Sequence, residues 1–299
     1  MKRGKTKQVL IVGSGDVARR IIPWLALRFR VVAVVRRAED GASLRALGAT
    51  PLCADLDLPE TLHRLAGIAD YVLHCAPPPG QGEDDPRTRR LLAALSRRGS
   101  LPRRISYIST TGVYGDCGGA RVSETRPPRP ASARALRRVA AEARLRSFGR
   151  RAGCAVGILR APGIYDTAQR LPRARLLKGD PVLAAADDVF TNHIHADDLA
   201  RLAALALFRA RPNRVYNASD DSTLRMADYF DLVADACALP RPPRLPRAEL
   251  EGQLSPLTLS FMAESRRLEN ARIKRELRVR LRHPSVAAAL AAALPAPVS

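Results

Sequence analysis

The sequence predicts an α/β fold, a doubly wound parallel sheet with a smaller C-terminal lobe interleaved with it. Three observations carry this. Val9–Val12 is a short apolar run rich in β-branched residues, as a buried parallel strand requires, and it leads into Gly13, Gly15 and Ala18 with the spacing G-x-G-x-x-A. Strand-like runs then alternate with helix-like stretches as far as residue 165. Beyond that point the period breaks, and segments 166–191 and 222–283 carry more proline and irregular spacing.

The first turn has a physical logic. Gly13 permits a sharp bend, Gly15 has no Cβ to keep an anion from the backbone, and Ala18 is small enough for close packing of helix on strand. Val17, Ile21, Ile22, Trp24 and Leu25 are the apolar positions of an amphipathic helix that starts at once. Its N-terminus offers free N–H groups and the positive end of a dipole. Strand, glycine turn and helix make a Rossmann-type dinucleotide fingerprint, with Gly13, Ser14, Gly15, Asp16, Val17 and Ala18 as the phosphate loop.

Arg30–Val35 follows as a second strand, with four valines, and ends in Arg36 and Arg37. At this strand end an acidic residue favours a ribose 2′-hydroxyl, whereas arginine accommodates a 2′-phosphate. The two arginines predict NADP in preference to NAD. Ser43–Leu47 reads as a short helix, Thr50–Ala54 as a third strand closed by Asp55 and Leu56, and Leu58–Leu65 as a helix. Tyr71–Ala76 is a fourth strand that runs into the rigid Pro77-Pro78-Pro79-Gly80 exit. Thr88–Arg98 is a helix with Leu91, Leu92 and Leu95 on one face. Arg104–Ile108 is a fifth strand, Ala131–Phe148 a long helix, and Cys154–Leu159 a sixth strand. Arg214–Asn217 looks like a strand that rejoins the sheet. The expected division is therefore a nucleotide-binding domain over 1–165, rejoined by 192–221, and a substrate lobe over 166–191 and 222–299.

The 299 residues, 46% of them hydrophobic, suffice for a sizeable core. No apolar run is long enough to span a bilayer, Ser285–Leu294 included. Met1–Lys7 is basic, but the strand after it is no signal-peptide core, so a cytoplasmic protein is expected. The net charge of +21 comes from arginine, with lysine only at positions 2, 5, 7, 178 and 274. Aromatics are 4% and do not interleave with the arginines, which argues against base-stacking platforms and leaves a solvated cationic surface that attracts small anions. The five cysteines form no C-x-x-C pair, which argues against a disulfide framework or zinc. His193 and His195 alternate on one strand face, but no third ligand is identifiable and no metal site is expected. A carboxylate of the Asp197-Asp198 turn is expected to cap a helix over Leu199–Phe208.

Taken in order, five stretches carry a resemblance over nearly the whole chain. They are the glycine loop at 13–18, Ser-Thr-Thr-Gly-Val-Tyr-Gly at 109–115, Leu-Arg-Ala-Pro-Gly-Ile-Tyr at 159–165, Asn-His-Ile-His-Ala-Asp-Asp-Leu-Ala at 192–200 and Val-Tyr-Asn-Ala-Ser-Asp-Asp at 215–221. Together they resemble the extended short-chain dehydrogenase/reductase superfamily in its NAD-dependent epimerase/dehydratase branch. The resemblance implies that Asp55 and Leu56 flank an adenine, that Ala76, Pro77 and Pro78 line the cofactor, and that Pro162 and Ile164 border cofactor and substrate. It implies Thr110 as the catalytic hydroxyl and Tyr114 as a pocket-shaping tyrosine; Tyr114 and Tyr165 by position, and His193 and His195 by chemistry, are the candidates to exchange a proton.

The chain departs from that family in one place. The family's acid/base pair is Tyr-x-x-x-Lys on the helix after the fifth strand. Here the stretch 131–142 holds neither residue, and alignment through Glu142 puts Arg134 and Arg138 at the two positions. An arginine stays protonated, and two of them one helical turn apart suit an anion such as a cofactor phosphate or a substrate carboxylate. The chain thus resembles the atypical members of the superfamily.

Three functions compete. One is an NADP-dependent oxidoreductase or epimerase-like enzyme acting on a small polar or nucleotide-linked molecule, an anionic one among them, with a homodimer expected by analogy. The second is a non-catalytic NADP-binding sensor or regulatory protein. The third is a cationic nucleic-acid-binding protein.

Overall fold

The computed structural model describes residues 6–99 and 101–293. Residues 1–5, 100 and 294–299, at the outer ends of the two expected domains and in one loop, lie outside the described residues. Strands β1 (Gln8–Val12), β2 (Arg30–Val35), β3 (Ala49–Cys53), β4 (Tyr71–His74) and β5 (Arg104–Thr110) build one parallel sheet with Ala155–Ala161 and Arg214–Asn217. From one edge the order is β3, β2, β1, β4, β5, then Ala155–Ala161, then Arg214–Asn217. In β1, Val9 lies between Val31 of β2 and Tyr71 of β4. The order reverses between β1 and β4, and a crevice opens there beyond the strand ends, as in other doubly wound sheets.

Seven helices are labelled in chain order: α1 (Asp16–Ala26), α2 (Gly41–Ala46), α3 (Pro86–Leu95), α4 (Ala133–Ala152), α5 (Arg173–Lys178), α6 (Ala196–Arg209) and α7 (Met226–Ala236). Alternation along the strands sorts side chains to two faces. Val9, Ile11 and Ala33 pack with Ile21, Ile22 and Leu25 of α1 and Leu199, Leu202 and Ala203 of α6. Leu10, Val12 and Val32 pack on the other face with Leu91 and Leu95 of α3 and Ala141 and Leu145 of α4.

The elements fall where the patterns put them, with small differences. The stretch expected as a helix over 58–65 is a 3-10 helix, Pro59–Leu65. Helix α4 runs on to Ala152, because Gly153 supplies the left-handed cap at φ 62°. The lobe has its own cores. One gathers Leu176, Phe230, Val233 and Leu290, and the other Leu183, Leu250 and Met262. The expected lobe boundary needs correction at one place. Ile273, Leu277 and Val279 pack into the cluster of β1, α1 and α6, so the helix Ala271–Leu277 belongs with the main sheet. Among the described residues no helix is long and apolar enough to cross a membrane.

Candidate functional site

Gly13 has φ +93°, and a Cβ there would stand 2.3 Å from the backbone nitrogen of Ala76. Only glycine fits between β1 and the end of β4. Gly15 is different. Its backbone is extended, and a Cβ would meet nothing within 4 Å. Its bare face is open toward the crevice, at the N-terminus of α1, where no side chain caps the helix. Ser14 is tied down, its hydroxyl donating to the Val34 carbonyl at 2.7 Å. Ala18 is buried against the sheet.

A cleft of about 490 Å³ opens over this loop. Of the residues expected from the sequence, Gly13, Ser14, Gly15, Asp16, Val17, Ala18, Arg36, Asp55, Leu56, Ala76, Pro77, Arg138 and Ile164 line it. Six others do not: Arg37, Pro78, Thr110, Tyr114, Arg134 and Pro162. Arg19, Asp40, Arg87, Ile108 and Arg170 also line it, and no local sequence pattern marks them.

The two arginines after β2 part company. Arg36 lines the cleft, and its guanidinium has no partner among the described residues. Arg37 is 70% exposed and turns back to Glu39 at 3.1 Å and Asp40 at 3.3 Å. It offsets the Asp40 charge on the cleft wall and does not face the cleft. The charge of Asp16 is likewise offset. Arg20 holds one carboxylate oxygen at 3.0 Å and Arg170 lies 3.2 Å from the other. Arg87 donates to the carbonyls of Pro77 and Pro78 and pairs with Asp57 at 2.5 Å. The Arg87 hydrogen bonds hold the Asp57 carboxyl below the usual carboxylate range.

Helix α4, which lacks the family's acid/base pair, contributes two arginines in different settings. Arg138 donates to the Tyr107 hydroxyl at 2.9 Å and to the Ile108 carbonyl at 2.8 Å, at the cleft wall. Arg134 does not share the cleft with it. Its guanidinium lies 4.4 Å from the ring centre of Phe261, in the lobe, with no hydrogen-bond acceptor among the described residues. Burial, then Arg137, Arg138 and Arg266, pulls its pKa down against the opposing charge of Glu264.

The catalytic candidates are also separated. Thr110 ends β5 and its oxygen accepts from the Gly112 N–H at 3.3 Å, a cap of the 3-10 turn Thr111–Tyr114. Tyr114 is 0% exposed and donates to Asn217 Oδ1 at 2.7 Å, with Arg160 4.6 Å from its ring centre. Burial raises its pKa. The expectation that Tyr114 exchanges a proton at the site is therefore corrected, since its hydroxyl is a core hydrogen bond. Tyr165 is buried as well, edge-on to both His193 and His195.

The expected carboxylate cap of α6 is also corrected. His195 is the cap, its Nδ1 accepting the Asp197 N–H at 3.2 Å. Asp198 instead accepts the backbone N–H groups of Arg282 and His283, at 2.9 and 2.7 Å. His283 stacks on His195 at 3.6 Å, and with Asp197 these three place candidate ligand atoms within 4.8 Å of one another. Accepting at Nδ1 engages the ring lone pair of His195 and leaves its proton on Nε2, and Arg20 holds one oxygen of Asp197 at 2.6 Å. Cys75 lines the cleft, but burial pushes its thiol up to about 12, so no thiolate stands there at neutral pH.

These features fit a dinucleotide. They are a tight turn at Gly13 that no larger residue could occupy, the open backbone of Gly15 at an uncapped helix end, and arginines around the cleft.

Comparisons agree with this geometry. The family model described as NAD dependent epimerase/dehydratase family matches residues 9–219. A functionally unknown conserved protein from Silicibacter pomeroyi superimposes with a TM-score of 0.80 at 30% identity, covering 96% of this chain and 98% of that one. UDP-glucose 4-epimerase from Thermotoga maritima superimposes at 0.74 with 18% identity, covering 95% and 96%. MoeE5 in complex with UDP-glucose and NAD superimposes at 0.72 with 23% identity, covering 95% and 96%. No curated protein matches the chain.

Proposed function

Since this chain belongs to the NAD-dependent epimerase/dehydratase family, we propose that its cleft holds an NADP dinucleotide and presents it to a small anionic substrate as an oxidoreductase or epimerase-like enzyme. The observation that carries the proposal is the open backbone of Gly15 at the uncapped start of α1. Peptide N–H groups there would hold the diphosphate. Asp55 and Leu56 would flank the adenine, and Ala76, Pro77 and Ile164 would line the rest of the cofactor. Arg36 supports the 2′-phosphate, because it is a cation on the cleft wall without a partner of its own.

The bound nicotinamide would supply or accept a hydride. The chain's own residues do the rest. Thr110 accepts from Gly112 and so keeps its own O–H free to donate to a substrate oxygen. Arg138 would fix the end of β5 through the Ile108 carbonyl, and with it the wall beside the nicotinamide. Arg134, without an acceptor, would hold a substrate carboxylate or phosphate at the lobe side. A nucleotide sugar, the ligand named for two structural neighbours, is one such anion, and a small keto acid is another.

A second reading, an NADP-binding sensor without turnover, is favoured by the buried Tyr114 hydroxyl and by the absence of tyrosine and lysine from α4. Titration with NADPH and NADH tests the binding that both readings share, and binding of neither would remove both. Single-turnover NADPH oxidation against carboxylate, phosphate and neutral carbonyl compounds then separates them. Turnover with an anionic carbonyl supports the enzyme, and binding without oxidation supports the sensor.

A further inference from the structure

We infer that the groove between α1 and α6, which shares no residue with the dinucleotide cleft, is a second ligand site for a small anion with a flat apolar body. The inference is independent of what the cleft holds. The groove encloses about 390 Å³, within the usual range of small-molecule sites. Its floor is Ile21, Ala200 and Ala204, all buried. The two alanines, one helical turn apart on α6, leave the space that larger side chains would fill.

One wall is Trp24, the chain's single tryptophan, which is 48% exposed. Its ring is held from behind by Phe208, with centroids 6.4 Å apart. A large aromatic left half in water beside an open groove is a stacking surface without a partner. The rim is cationic. Arg201 and Arg282 are both exposed, and the Arg282 guanidinium has no acceptor among the described residues. The groove's acid, Asp197, is already bound by Arg20 at 2.6 Å. The uncompensated charge is thus positive, next to an aromatic face, which selects a planar anion. A second copy of this chain is the wrong occupant on charge. Each copy carries a net +21, and pairing this face with itself would oppose its own arginines.

Trp24 makes the test direct. The probe is 8-anilinonaphthalene-1-sulfonate, read by energy transfer from Trp24 in the full chain. Its neutral analogue N-phenyl-1-naphthylamine and inorganic sulfate serve as comparisons. Saturable one-to-one binding is expected, about tenfold weaker in Arg282→Glu and in Arg201→Glu, and about tenfold weaker for the neutral analogue. Arg36→Glu, a change in the cleft, is expected to leave it within about twofold. Equal binding of both probes, or indifference to both rim variants, would overturn the proposal in favour of a general apolar contact. Loss in Arg36→Glu would move the probe to the cleft. A concentration-dependent blue shift of Trp24 without probe, with a dimer in sedimentation, would assign the face to a second copy and likewise overturn it.

Discussion

Glu142 of α4 and Arg160, at the end of the strand Ala155–Ala161, meet in a two-point ion pair. Nη2 lies 2.7 Å from Oε2 and Nε 3.0 Å from Oε1, with Arg160 only 1% exposed. The same carboxylate accepts the Ser109 hydroxyl at 2.7 Å. The pair therefore pins α4, which carries Arg138 one turn earlier, to the ends of two central strands. Removing one partner leaves a buried charge alone. Glu142→Ala is expected to cost about 3–5 kcal/mol in chemical denaturation. Joint replacement of both residues by leucine should recover most of that loss, because no charge then remains to be desolvated.

Gly13 and Gly15 should behave oppositely on substitution by alanine. Gly13→Ala forces a Cβ to 2.3 Å from a backbone nitrogen at a positive φ, so the fold itself should suffer by several kcal/mol. Gly15→Ala meets nothing in the protein, so its melting midpoint should shift little while dinucleotide affinity falls about tenfold or more. Calorimetric titration and thermal melting of the two variants check the contrast.

Arg36→Asp should weaken NADPH binding about 10–100-fold, the loss of a charge-assisted hydrogen bond together with added repulsion. NADH binding should change far less. Equal losses for the two would mean that Arg36 acts only through general charge. Arg37→Ala should matter little to either, since Arg37 spends its charge on Glu39 and Asp40.

Tyr114→Phe leaves Asn217 Oδ1 without its donor in the core. It should cost about 1–3 kcal/mol of stability and leave cofactor affinity unchanged. A selective loss of turnover with unchanged stability would return Tyr114 to the reaction.

Burial pushes the Asp220 carboxyl up to about 7. In the unfolded chain it ionises near about 3.9. Between the two the unfolded chain has lost this proton and the folded one keeps it. The group's contribution is therefore full below about pH 4 and is lost as pH rises through about 7. His193 acts in the other sense. Burial lowers it to about 3, so its contribution is lost as pH falls below the unfolded value of about 6.5. Asp220→Asn should thus stabilise the protein more at pH 8 than at pH 5, by at most about 3 kcal/mol. Denaturation at the two pH values reads the difference, and an equal gain at both would show that the folded carboxyl is ionised throughout.

Much of the site was legible because local chemistry dictated it. The spacing of Gly13, Gly15 and Ala18 after an apolar run marks a tight strand-to-helix turn, and all three line the cleft. Arg36 and Arg37 were indistinguishable as neighbours in the chain, and only the positions of Glu39 and Asp40 separate them. The His195 cap was hidden for another reason. Asp197 and Asp198 are better capping residues by type, but Arg20 and the Arg282–His283 backbone claim their carboxylates.

The sequence alone determined the alternation of strands and helices, the glycine turn and the absence of tyrosine and lysine from α4, since each depends on neighbours within one or two turns of chain. Tertiary structure decided which polar groups remain free. Tyr114 is spent on Asn217, 103 residues away, and Arg170 crosses from the lobe to Asp16. Hydrogen bonds and ion pairs between distant segments obey no local periodicity, so only the packed chain reveals which hydroxyl or cation is left to meet a ligand.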